Sequence, residues 1–320
     1  MKELKLIFMG TPEFALPSLE LIYLSSHDLS LLVVPQDKPS GRGRKVQYAP
    51  TKKWALEHNI PLVQPKKISD QSFLEQVEQK SPDLIITAAY GKIVPQPLLD
   101  LPTYGCINLH ASYLPYYRGS APIHRAVIDG ASYSGVSVIR MLPELDAGDI
   151  LMQEKEDISP LDTAGTLHDR LAARGAKVLL RTVNAISAGT VTAVPQDHEL
   201  ATYAPPLTTE DERLDWNRSA TEIYNRIRGL NPWPGAYTLM NGKRIKVWQA
   251  VRPAGGEKKP EAVPGTILAV GEDSLTVATG SVPLTLLNLQ PAGKNAMNAG
   301  SFCCGYRVET GQVLDGEPEN

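Results

Sequence analysis

The chain has 320 residues, 42% of them hydrophobic, with a formal net charge of −3. That length suggests two domains, and the composition is that of an ordinary water-soluble protein with ample material for a core. Three cysteines (Cys106, Cys303 and Cys304) exclude a disulfide framework and favour a reducing compartment.

The opening MKELKLIFMG runs straight into an apolar strand and lacks the features of a secretory or transit segment. No apolar stretch is long enough to span a bilayer, so the expectation is a cytoplasmic protein. Leu4 to Met9 reads as the first strand. Gly10-Thr11-Pro12 reads as a strand-to-helix turn, with Thr11 as N-cap and Pro12 at the first helical position. Only one glycine stands here, so the GxGxxG fingerprint of a dinucleotide site is missing and a nicotinamide dehydrogenase is disfavoured. Pro17 is expected to kink or restart the helix that follows.

Leu31 to Val34 reads as a second strand, and PQDKPSGRGRKVQYAPTKK follows. Between Lys38 and Lys53 stand six basic residues (Lys38, Arg42, Arg44, Lys45, Lys52 and Lys53) and no acidic one. Pro39, Gly41 and Gly43 argue against regular structure. A connection this long is an insertion. Two readings fit: a flexible cationic loop suited to a phosphate backbone, or a solvated loop that serves solubility.

Helices are expected over Lys52–Asn59 and Asp70–Gln79, with a short extended piece over Ile60–Gln64. Asp83 to Ala89 is a buried strand that ends in Tyr90-Gly91-Lys92. Gly91 suits a plain turn or a close ligand approach. The next strand, Cys106–His110, alternates apolar Ile107 and Leu109 with polar Asn108 and His110. A central parallel strand is usually apolar on both faces. Two polar side chains here mark either a hydrogen-bonded buried pair or a ligand site at the carboxyl ends of an α/β sheet. Asn108 and His110 would lie about 6.6 Å apart along the strand, within reach of one ligand oxygen. Cys106 falls on the same face, but about 13 Å from His110, too far for an activated thiol pair.

A turn-rich SYLPYYRGSAP leads to a helix over Ala121–Ile128, then strands over Gly135–Met141 and Ile150–Gln153 flank a carboxylate-bearing loop, PELDAGD. Thr163–Ala188 reads as a long helix capped by Thr163 and stopped by Gly189. The alternation predicts a mostly parallel, Rossmann-like sheet with helices on both faces. Residues 190–207, with Pro195, Pro205 and Pro206, read as a linker between domains at 1–189 and 208–320. After a helix over Arg218–Arg228, five short turn-separated runs predict a small OB-like β-barrel. From Arg213 to Lys259 there are ten basic residues against Asp215, Glu222 and Glu257. This suits nucleic acid or a solvated face. Histidine and cysteine spacing supports no metal site.

Asn108-Leu109-His110, Ser112-Tyr113-Leu114-Pro115, Arg118-Gly119 and Asp146-Ala147-Gly148-Asp149 together resemble the formyltransferases that use 10-formyltetrahydrofolate. GTPEFALPSL, DKPSGRG, AAYGKIVP and NPWPGA resemble the same family, and the likeness reaches to about Gly293. The resemblance implies formyl transfer from 10-formyltetrahydrofolate to the α-amino group of initiator methionyl-tRNA, by a monomer, without a metal. It implies Asn108, His110 and Asp146 as the catalytic set. Folate contacts fall to Ser112, Tyr113, Leu114 and Pro115, with Ala89, Tyr90, Gly91 and Leu142 as walls. Lys38, Arg42, Arg44 and Lys45 become tRNA contacts, with Arg42 the specific one. An amino-sugar nucleotide acceptor, a 10-formyltetrahydrofolate hydrolase and an inactive tRNA-binding module are the alternatives. The amino-sugar enzyme has no use for a cationic insertion.

Overall fold

The computed structural model describes residues 2–37, 39–40, 45–254 and 258–315. The chain forms two compact units. The first takes the chain up to Pro122, then Ser134–Asp157 and His168–Pro205; the second takes Ile123–Tyr133, Ile158–Leu167 and the chain from Pro206 onward. These limits differ from the boundaries expected at 189 and 208. The stretch read as a linker belongs to the first unit as far as Pro205, because its side chains and a short strand bond there.

The elements run β1 (Lys5–Gly10), α1 (Leu16–Tyr23), β2 (Asp28–Val33), β3 (Pro39–Ser40), β4 (Lys45–Val46), α2 (Pro50–Glu57), β5 (Leu62–Val63), α3 (Gln71–Lys80), β6 (Leu84–Ala88), α4 (Gln96–Leu99), β7 (Cys106–His110), β8 (Arg118–Gly119), α5 (Pro122–Ile128), β9 (Tyr133–Arg140), β10 (Ile150–Asp157), α6 (Ala164–Ser187) and β11 (Tyr203–Ala204). Seven strands make one sheet in the order β10-β9-β7-β6-β1-β2-β5. β5, β2, β1, β6 and β7 are parallel; β9 runs antiparallel to β7. The strand pattern foretold β9 but not its direction, since an antiparallel neighbour needs no crossover helix. The order reverses between β1 and β6, and in such sheets ligands collect at the carboxyl ends beside that reversal.

Residues 6–9 of β1 are wholly buried on both faces, as are 84–86 of β6. Burying each such large side chain contributes roughly 1.5–3 kcal/mol, so these two strands anchor the centre of the sheet. Phe73 and Val77 of α3 bury one face against β1, β2 and the start of β7.

Several local expectations need correction. Thr11 does not cap a helix: its hydroxyl is buried without a partner, and a 3-10 turn at Glu13–Ala15 precedes α1. Pro17 restarts the helix, as expected: it lies in the first turn of α1, where a missing N–H costs nothing. The insertion carries a two-residue ladder between β3 and β4, so it is not wholly irregular. Lys52, counted among its cations, is buried; it pairs with Asp37 and donates to Gln64 Oε1 at 2.7 Å. Lys38, Arg42 and Arg44 lie outside the described residues, and Lys45 is described only in its backbone. Thr163 does cap α6, its Oγ1 accepting from Thr166 N at 3.2 Å.

In the second unit, α7 (Thr209–Glu212) and α8 (Ala220–Gly229) precede β12 (Ala236–Met240), β13 (Lys243–Ala250), β14 (Ile267–Val270), β15 (Leu275–Val277), β16 (Leu284–Pro291), β17 (Met297–Asn298) and α9 (Ala299–Tyr306). Ser219 and Glu222 form a reciprocal capping box at the start of α8. The strands form one antiparallel sheet, β12-β13-β16-β15-β14, with β17 on β16. The basic surplus is partly neutralised by acids outside the stretch counted from sequence. Arg213 pairs with Asp315, and Arg244 lies 3.7 Å from Glu212 and over the Tyr237 ring.

Candidate active site at the carboxyl end of β7

Asn108 and His110 leave β7 on one face of the sheet, and Thr87 of β6 is the register partner of Asn108. Thr87 Oγ1 donates to Asn108 Oδ1 at 2.7 Å. That bond fixes the amide, so Nδ2 is the edge presented outward. Nδ2 reaches Asp146 Oδ1 at 3.4 Å, and His110 Nδ1 stands 3.5 Å from Asp146 Oδ2. The three residues foreseen as catalytic therefore meet, although His110 and Asp146 stand 36 positions apart in the chain. His110 is 6% exposed and the Asp146 side chain 11%, while Asn108 is half-buried.

His110 Nε2 faces the Tyr117 carbonyl oxygen at 2.9 Å, so that nitrogen carries a proton and donates. Both ring nitrogens thus face acceptor oxygens, and only the doubly protonated ring donates to both. The Nδ1–Asp146 distance is longer than a good hydrogen bond, which leaves this edge open to a third group.

Asp146 sits in the left-handed region at φ 50°, rare for a residue with a side chain. Its Oδ2 accepts from Gly119 N at 2.8 Å. Gly148, two residues on, passes so close to Arg140 that a Cβ there would stand 1.8 Å from the Arg140 carbonyl oxygen. Only glycine permits this turn. Gly119 is held just as tightly: β8 pairs with β11, and a Cβ on Gly119 would meet Ala204 O at 2.7 Å.

The residues expected to contact folate divide in two. Ala89 (φ 48°), Tyr90 and Gly91 make the turn after β6, beside the end of β7. The Tyr90 hydroxyl is buried without a hydrogen-bond partner, and burial pushes its ionisation up to about 12. Leu142 and Leu145, on the loop that carries Asp146, are 48% and 58% exposed. By contrast Ser112 and Leu114 point into the protein. Ser112 Oγ donates to Tyr116 O at 2.6 Å, Leu114 lies against Ile139 and Ile150, and Tyr113 packs over Gly135. The same turn carries Pro115 after a cis bond. Cys106 faces the core; burial raises its thiol to about 12, which agrees with an inert role.

Sequence reasoning did not single out Thr87, nor Gln196. Thr87 was legible as a lone polar residue in an apolar strand. Gln196 had no signal, since it falls in the stretch read as a linker. Among the described residues no group of three or more His, Cys, Asp or Glu could hold a metal ion, and no helix is long and apolar enough to cross a membrane.

Residues 4–183 match the family described as formyl transferase, and residues 206–307 match the formyl transferase C-terminal domain. The methionyl-tRNA formyltransferase of Moorella thermoacetica is 45% identical over 313 residues, covering 97% of this chain and 99% of the relative. That of Bacillus subtilis is 45% identical over 311 residues, covering 97% of each. The chain belongs to the methionyl-tRNA formyltransferase family. Among solved structures, this formyltransferase is similar in fold to HypX from Aquifex aeolicus in complex with tetrahydrofolic acid, with a TM-score of 0.64 and 17% identity. That match covers 97% of this chain and 48% of HypX. It is also similar to an N-formyltransferase from Helicobacter canadensis in complex with folinic acid and dTDP-3-aminofucose, with a TM-score of 0.65 and 16% identity, covering 90% and 99%.

Proposed function

We propose that this formyltransferase moves the formyl group of 10-formyltetrahydrofolate to the α-amino group of initiator methionyl-tRNA, with Asn108, His110 and Asp146 as its catalytic set. The observation that carries the site assignment is the convergence of Asn108 Nδ2 and His110 Nδ1 on the two oxygens of Asp146, at 3.4 and 3.5 Å.

The reaction joins the amine nitrogen to the formyl carbon and then breaks the bond from that carbon to N10 of the folate. The tetrahedral intermediate between these steps carries an oxyanion. Asn108 Nδ2–H and His110 Nδ1–H are the two fixed donors that stabilise it, and such donors are worth about 10²–10³ in rate each. Their positions cost no reorganisation, because Thr87 and the Tyr117 carbonyl already hold them. The amine attacks only when neutral and sheds a proton as the new bond forms. Asp146 accepts that proton, directly or through water, and returns it to N10 as the bond from the formyl carbon to N10 breaks.

The turn Ala89–Gly91 and Leu142 would hold the folate. The unpartnered Tyr90 hydroxyl and the exposed leucines of the Asp146 loop fit a flat, partly apolar ring with polar edges. Ser112 to Pro115 support the floor of that site. The cationic insertion, with Lys38, Arg42, Arg44 and Lys45, takes the acceptor arm of the tRNA. The antiparallel strands of the second unit close as a small OB-like barrel that assists it.

The test is formyl transfer to charged initiator methionyl-tRNA, run beside His110→Ala and beside an amino-sugar nucleotide acceptor over a range of salt. Transfer to tRNA that falls steeply with salt and is nearly lost in the variant is expected. Transfer only to the amino sugar would reassign the acceptor. Undiminished transfer by His110→Ala would remove the oxyanion role.

A further inference from the structure

The chemistry above leaves unused a buried polar network behind the Asp146 loop. Arg118 is 3% exposed and Gln196 6%. Gln196 Oε1 accepts from Arg118 Nε at 3.1 Å and from Nη2 at 2.7 Å. Arg118 Nη1 and Nη2 also lie 3.3 Å from His198 Nδ1. On its other side, Gln196 Nε2 donates to the carbonyl oxygens of Asp146 at 2.8 Å and Gly148 at 2.7 Å. Both amide protons and the amide oxygen are spent, so the orientation of the Gln196 side chain is fixed from two directions.

The target of these bonds is the residue whose backbone is strained. A left-handed aspartate persists only where its surroundings over-determine it. Here the surroundings act on both ends of Asp146. Gly119 N holds the carboxylate, and its neighbour Arg118 holds the carbonyl through Gln196.

We propose that Gln196, braced by Arg118, is a positioning residue for Asp146: its amide holds the left-handed backbone that aims the carboxylate at Asn108 and His110. This rests on the reading that Asp146 takes the proton of the attacking amine.

The experiment measures single-turnover formyl transfer by the full chain, in the parent and in an Asp146→Ala background. Gln196→Met keeps the shape and removes the bonds. Gln196→Glu keeps the acceptor for Arg118 but turns an oxygen toward the two carbonyls. Each is expected to slow transfer about 30- to 100-fold, since displacement of a reacting group by an ångström costs about that much. The apparent affinities for folate and tRNA should stay within about threefold, and the melting temperature within a few degrees, a split that a scaffold role would not produce. In the Asp146→Ala background, Gln196→Met should cost under about threefold, because no carboxylate remains to be aimed.

A parental rate in either folded variant overturns the proposal. So does an equal loss in both backgrounds. Failure of both variants to fold would make the network part of the scaffold and overturn it as well. A parental rate in Asp146→Ala alone is a different result: it removes the proton acceptor assigned above, and the proposal falls with it.

Discussion

Replacing Asp146 by asparagine removes one charge and almost no volume. His110 Nδ1 stands 3.5 Å from Asp146 Oδ2. If the ring is doubly protonated, as donation from both its nitrogens requires, it and the Asp146 carboxylate attract by roughly 5 kcal/mol at that distance and an effective dielectric constant of about 20. The charge on the ring grows in value as the oxyanion forms, so some of that attraction belongs to the transition state alone. If half to all of it does, the loss is about 50- to 3,000-fold in transfer rate, at 1.36 kcal/mol for each factor of ten. Loss of the proton acceptor alone predicts a similar range, about 10²- to 10⁴-fold. Asparagine still offers an oxygen to Gly119 N, so the loop should keep its place. The assay is a single turnover with enzyme in excess over charged tRNA, with formylated and free methionyl-tRNA separated after a quench. A folded Asp146→Asn enzyme within about tenfold of the parent would refute both the charge argument and the proton-acceptor role.

Thr87→Val removes the hydroxyl that donates to Asn108 Oδ1 at 2.7 Å and frees the amide to turn; one hydrogen bond of about 1 kcal/mol predicts a rate loss of roughly fivefold with KM unchanged, measured in the same assay. Gly148→Ala puts a Cβ 1.8 Å from Arg140 O and must displace the loop, so activity should fall at least about 100-fold while the far-ultraviolet circular dichroism is retained. In the second unit, the hydrogen bonds from Arg125 push Asp211 from its usual 3.8 down to about 2. A folded-state value below the unfolded one adds stability that is complete above about pH 4 and is lost as the pH falls toward 2. Asp211→Asn should therefore destabilise by about 1–2 kcal/mol at pH 7, and the gap in urea midpoint should close in acid.

The sequence made Asn108 and His110 visible because two hydrogen-bonding side chains interrupt an apolar strand. It could not bring Asp146 to them; only the likeness to a family did that, since a left-handed aspartate on a loop leaves no periodic trace. Thr87 was visible as a residue but not as a partner, because its role depends on the pairing of β6 with β7. Residues 190–207 misled for a physical reason. Three prolines exclude regular structure, yet a two-residue ladder and a few side-chain bonds need none. The same blindness affected charge: Lys52 counts as a surface cation in the sequence, whereas Asp37 draws it inward. The tail held a helix, α9, whose Asn298 cap is plain once its bond to Ser301 N at 2.7 Å is known.

The pairing of β8 with β11 joins Arg118 to Tyr203 across 85 residues. Closing a loop of that length costs about 4 kcal/mol of chain entropy before any bond repays it. Chains emerge from the ribosome amino end first, and local structure forms ahead of such distant contacts. The parallel strands, with Asn108 and His110 already in place, can therefore assemble while Gln196 is still unsynthesised. The Asp146 loop gains its brace only when residues 196–204 return to the sheet. A nascent chain would thus hold Asn108, His110 and Asp146 before the backbone of Asp146 is braced, and the brace would arrive with the final short strand of the first unit.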